Sequence, residues 1–158
     1  MPKYYFFCLL FILSCSNISD DKTVDYWGEA LIEYENNNYD ACVIKLTNII
    51  EKYPNSDYAP KSYYLISEIY LNEYKEYNIS IDFLNKIIDN YPSSIEAKKS
   101  LFTIGYIYAN YIDQYTDAFY FYNMFMENHP TDALIPSVEY ELENLKPLLN
   151  KVDSLISN

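Results

Sequence analysis

Nucleophilic or acid–base chemistry near neutral pH draws on histidine and cysteine side chains, and this chain holds one histidine, His129, with three cysteines, Cys8, Cys15 and Cys42. Neither His129 nor Cys42 reads as a catalyst. A phrase recurs at a spacing of 38 residues, "IEKYPNSDYAP" from Ile50, "IDNYPSSIEAK" from Ile88 and "MENHPTDALIP" from Met126. His129 stands in the slot that Tyr53 and Tyr91 hold in the other copies, so a ring packed at a helix end is expected there. Cys42 shares its slot with Ser80 and Ala118, the place of a small buried side chain. The acidic groups Asp20 and Asp21, and Glu139, Glu141 and Glu143, suit a solvated tether and a helix surface, and no loop has the ligand spacing of a calcium site. The sequence implies no catalytic residue, no metal, no cofactor and no small-molecule substrate.

Binding chemistry is better represented. In the repeat register Lys61 and Lys99 share one position, Tyr64 and Phe102 another, and Asn36, Asn72 and Asn110 a third. Side-chain amides can pair with the backbone of an extended peptide, and ammonium groups with an acidic side chain or carboxylate. Tyr106 and Tyr111 extend the same surface if they point inward. The alternative is a solvated helix face whose aromatic rings fill gaps between helices.

The elements that position these residues follow from periodicity. Tyr39, Tyr77 and Tyr115 each begin a set spaced i, i+3, i+7, i+10, such as Tyr39, Cys42, Leu46 and Ile49, which is one face of a helix. A preceding helix in each copy carries Trp27, Ala30, Leu31, Tyr34, then Tyr63, Ile66, Ser67, Tyr70, then Leu101, Ile104, Gly105, Tyr108. The expected helices run about 23–36, 39–52, 58–74, 77–90, 96–112 and 115–128, broken by "PNS", "PSS" and "PTD" at Pro54, Pro92 and Pro130. Asn, Ser or Asp after each proline can cap the next helix. One such hairpin cannot bury its own apolar stripe, so successive pairs must stack. The repeats span about 23–56, 57–94 and 95–132, and residues 133–158 form a cap whose helix Pro147 kinks or breaks. The expected fold is all-α: a right-handed solenoid, or α-α superhelix, of three helical hairpins and a C-terminal capping helix, in a domain covering 25–158.

Charge narrows the partners. The chain of 158 residues carries 23 acidic residues against 11 lysines and no arginine, which argues against nucleic acid and against an anionic lipid surface. Membrane attachment must come through an anchor instead. "MPKYYFFCLLFILSC" places Lys3 before an apolar run that ends at Ser14 and Cys15, too short for a permanent span, which needs about 20 residues. Residues 1–14 read as a signal peptide and residues 15–24 as a flexible tether.

"ILSC" resembles the lipobox of bacterial lipoproteins, which implies lipid on Cys15 and, with Ser16 following, residence at the outer membrane facing the periplasm. The repeat resembles the tetratricopeptide repeat, TPR, through Trp27, Ala30, Leu31, Tyr34, Tyr39, Cys42 and Pro54, and through Ile104, Gly105, Tyr108, Tyr115, Ala118 and Pro130. Its period of 38 departs from the family's shorter one. "YPNSDYAPKSYYLISEIY" is similar to repeats of the periplasmic Tol-Pal cell-division coordinator. A lipobox followed by repeats looks like BamD, the lipoprotein of the outer-membrane β-barrel assembly machine. Neither is an enzyme. These resemblances imply a BamD-like or Tol-Pal-type scaffold whose partners are envelope proteins or extended peptides.

Overall fold

A computed structural model describes residues 18–156. The leader and Cys15 lie outside the described residues. Seven α-helices form among these residues, with no strand: α1 (Ile18–Glu35), α2 (Tyr39–Lys52), α3 (Tyr58–Ile69), α4 (Tyr77–Asn90), α5 (Ile95–Ile107), α6 (Tyr115–Asn128) and α7 (Ile135–Ile156). No helix among them is long and apolar enough to cross a membrane.

The recurring proline phrase is a recurring turn. The amides of Tyr53, Tyr91 and His129 close the last turns on Ile49, Ile87 and Phe125, and the amides of Ser56, Ser94 and Asp132 then fold back onto the carbonyls of those same three ring residues. Capping by the residues after the proline occurs in two copies: Ser94 Oγ accepts from Ala97 N at 3.0 Å, and Asp132 Oδ1 from Leu134 N at 2.9 Å. Asp57, ahead of α3, makes no side-chain cap.

Three departures from expectation have local causes. The first helices of the second and third hairpins do not continue as α-helix: Tyr70–Tyr74 and Tyr108–Ile112 widen into π turns. Those turns absorb the two residues by which the later hairpins exceed the first, and each closes on a left-handed residue, Lys75 and Asp113, both at φ 58°. The helix α1 begins at Ile18, so it takes up residues that were expected in the tether, and Thr23 within it is buried. Finally α7 runs through Pro147 without a break. The carbonyl that proline leaves unbonded belongs to Glu143, and both residues are exposed, so water can serve it.

Burial shows why the hairpins stack. One apolar cluster joins Ala30, Cys42, Leu46 and Ile49 of α1 and α2 to Leu65, Ile66 and Ile69 of α3. A second joins Leu84 and Ile87 of α4 to Ile104 and Ile107 of α5, and a third joins Tyr122 and Phe125 of α6 to Val138, Leu142 and Leu145 of α7. Each pair is completed by the helix that follows it. At the far end, α7 places Glu143 and Lys146 where α5 has Gly105 and Tyr108, so the face that would receive another helix is charged and exposed.

Candidate peptide-binding groove

The first helices α1, α3 and α5 line one recess of about 210 Å³, walled by Trp27, Leu31, Lys61, Tyr64, Leu65, Glu68 and Glu96. Its lining is largely apolar because Trp27, Leu31 and Tyr64 are partly buried edges of the apolar clusters and Leu65 belongs to one of them. Tyr64 is fixed across the repeat boundary, its Oη 3.1 Å from Thr103 Oγ1 on α5. Trp27 packs on Tyr58 at the start of α3, with ring centres 5.6 Å apart.

Charge at the rim is mixed. Lys61 Nζ sits 4.8 Å from the centre of the Tyr58 ring and Lys99 Nζ 5.6 Å from that of Tyr64, both cation–π contacts. Burial pushes the Glu68 carboxyl above its ordinary range, and the Lys99 ammonium pulls it partly back. Burial likewise raises the Tyr64 phenol, opposed by its bond to Thr103 and helped by the charges of Glu68 and Glu96.

Of the seven residues read from the register as a binding set, Lys61 and Tyr64 line the recess and Lys99 reaches it over the Tyr64 ring. Phe102 does not: it is part-buried, with ring centres 5.8 Å from Tyr122 and 6.4 Å from Phe125, and fills the space between α5 and α6. The asparagines lie at the hairpin ends, exposed. Asn36 follows the last turn of α1, Asn72 is in a π turn, and Asn110 turns its amide back onto Tyr106 O at 3.0 Å, so no asparagine ladder lines the recess. Tyr106 and Tyr111 are exposed and meet edge to face at 5.9 Å, with Tyr111 stacked on Tyr77 at 4.8 Å.

Trp27, Leu31, Leu65, Glu68 and Glu96 were not singled out as binding residues from the sequence. For Glu68 a signal existed: the same slot holds Ile32 in the first copy and Tyr106 in the third, so an acid there departs from an otherwise apolar column.

The residues set aside as structural behave so. Cys42 is fully buried, and burial, then the charge of Glu33, pushes its thiol up to about 11. The His129 ring packs against Phe125 at 5.4 Å. Among the described residues no group of His, Cys, Asp and Glu side chains could hold a metal ion.

Stacked helical hairpins with a recess across their first helices define a helical-repeat protein, and this architecture supports a protein–protein interaction scaffold. The chain belongs to the tetratricopeptide repeat family, whose model matches residues 26–56, 61–94 and 99–132. Among solved structures it is similar to the first TPR of Spaghetti (RPAP3) bound to HSP90 peptide SRMEEVD, with a TM-score of 0.63, 14% identity, and 83% of this chain and 95% of that one covered. At that identity the likeness shows the fold alone. No curated protein matches the chain in sequence.

Proposed function

We propose that this protein is a non-catalytic scaffold, held by lipid on Cys15 at the periplasmic face of a bacterial outer membrane, whose groove takes an extended segment of an envelope protein. The observation that carries the binding reading is the largely apolar recess across α1, α3 and α5. The similar first TPR of Spaghetti (RPAP3) is bound to a peptide, which supports a peptide as the guest. The lipobox-like "ILSC" at 12–15 supports the anchor, and its placement ahead of the repeats supports a BamD-like role in outer-membrane protein assembly or envelope coordination. Function is then equilibrium binding with no chemical step.

Crosslinking in the native envelope, followed by mass spectrometry of captured proteins, tests the role. Enrichment of a β-barrel assembly subunit is the expected result. Capture of Tol-Pal or murein-synthesis components instead would replace it with a cell-division coordinator reading. Membrane retention of Cys15→Ala after a high-salt wash would remove the lipid anchor.

A further inference from the structure

Glu68 stands out in the groove because its charge is only partly answered: the Lys99 ammonium offsets some of the cost of burial but forms no ion pair with it. The ion pairs of Lys45 with Glu29 and of Lys98 with Asp132 lie elsewhere, and neither involves Glu68. Lys61 and Lys99 rest over tyrosine rings, and Glu68 accepts no hydrogen bond from a described group. It is half-buried among Trp27, Leu31, Tyr64 and Leu65, side chains that take away part of its water without replacing those hydrogen bonds. A second carboxylate, Glu96 of α5, lines the same recess.

We infer that the recess takes a lysine or arginine side chain of an extended partner peptide, with its aliphatic stem on Trp27, Leu31 and Leu65 and its charge beside Glu68. The inference rests on the groove being a peptide site and specifies what the peptide must carry. Long basic side chains suit a recess whose lining is mostly apolar and holds two carboxylates against one lysine. An arginine guest would also stack on an aromatic face, which this recess supplies twice. The field of the whole chain points the same way, since a net charge of −12 attracts a basic segment at a distance and repels an acidic one. An acidic guest could meet Lys61 or Lys99, but it would add a third negative charge beside Glu68 and Glu96 and compete with Glu68 for the Lys99 ammonium. The earlier expectation of an acidic guest rested on the lysines alone.

The test is a peptide array probed with the full chain. Its peptides are acetylated and amidated nonamers of neutral residues, each with Lys, Arg, Glu or norleucine fixed at the centre. The expected result is that Lys and Arg peptides are retained about five- to ten-fold more than Glu or norleucine peptides. Glu68→Gln should erase that preference, bringing Lys and Arg peptides to the retention of norleucine peptides. Glu51→Gln, an equal change of charge on an exposed site, should leave the preference intact. Stronger retention of Glu peptides, equal retention of all four, or a preference that survives Glu68→Gln would each overturn the basic anchor while leaving a peptide groove standing. Retention of no peptide at all would remove the groove reading together with the anchor. Circular dichroism of Glu68→Gln confirms that any loss is not unfolding.

Discussion

The aromatic ring of Tyr122 lies so close on the backbone of Gly105 that a Cβ at that glycine would stand 2.8 Å from two of the ring carbons. Tyr122 occupies the slot that Leu46 and Leu84 hold in the other hairpins, and Gly105 the slot of Leu31 and Ser67, so the two unusual residues compensate one another. Gly105→Ala gains helix propensity of about 1 kcal/mol but forces a fully buried ring to move. The expected net loss is about 1–3 kcal/mol in urea unfolding. In the background Tyr122→Leu the same alanine should cost much less, a coupling of about 1–2 kcal/mol. Additive losses would mean that the ring and the glycine do not constrain each other.

Much of the architecture is legible because its punctuation is chemical. Each second helix is opened by a tyrosine and closed before a proline, and α2, α4 and α6 have the bounds read from the sequence. The first helices were less legible. The step of 14 residues from Tyr63 to Tyr77 and from Leu101 to Tyr115, against 12 from Trp27 to Tyr39, says that two residues are added, but not that Tyr70–Tyr74 and Tyr108–Ile112 would absorb them by widening into π turns. The groove was readable in part for a similar reason. Register showed that Lys61 and Lys99 are equivalent, yet equivalence does not give direction, and Asn36, Asn72 and Asn110 are equivalent while lying outside the recess. Glu68 was missed because an isolated acid on a helix usually faces water, and its burial depends on Trp27 and Leu31, which come from a different hairpin.

The left-handed residues that end the first helices offer a stability test. Asn37 and Asp113 accept hydrogen bonds from the tyrosine two residues on, Tyr39 at 2.9 Å and Tyr115 at 3.0 Å. Lys75 has the same backbone without such an acceptor, and an unbranched side chain at positive φ carries strain of about 1 kcal/mol. Lys75→Asn supplies both the tolerant backbone and an acceptor for Tyr77. The variant should be more stable by about 0.5–1 kcal/mol in thermal or urea unfolding. A loss of stability would show that the lysine side chain is engaged in a way its exposure does not suggest.

Asp132 gives a pH-dependent prediction. Its carboxylate is held below the usual range by the hydrogen bond from Lys98, then by the Leu134 amide. A depressed carboxyl contributes stability that is present above its unfolded value of about 4 and is lost as pH falls through the lower folded value. Asp132→Asn should therefore lower the melting temperature at pH 7, and the deficit should shrink toward zero in acid. Because Lys98 is on α5 and Asp132 precedes α7, the variant should also loosen α7 first, seen as faster amide exchange there. A deficit that is constant from pH 7 to pH 2 would show that the charge paired with Lys98 does not carry the effect.

Glu68 should behave in the opposite sense. Burial raises its carboxyl, so the folded state binds a proton more readily than the unfolded chain and the charged form opposes folding. At pH 7 this opposition is present in full, and it is relieved as pH falls through the raised value. Glu68→Gln removes the charge and nearly preserves the shape, so the variant should be more stable than the parent at pH 7. The gain is small, because nearby solvent and the Lys99 ammonium offset much of the cost of burying the charge. The two proteins should converge in acid, where the parent carries a neutral carboxyl of almost the same outline. The same substitution is expected to erase the preference for basic peptides, so stability and selectivity move in opposite directions at one atom group, as they do where a charge is kept for a guest rather than for the fold. If Glu68→Gln were instead less stable than the parent at pH 7, the Lys99 ammonium would already outweigh the cost of burying the carboxylate, and it would have no need of a charge from a partner.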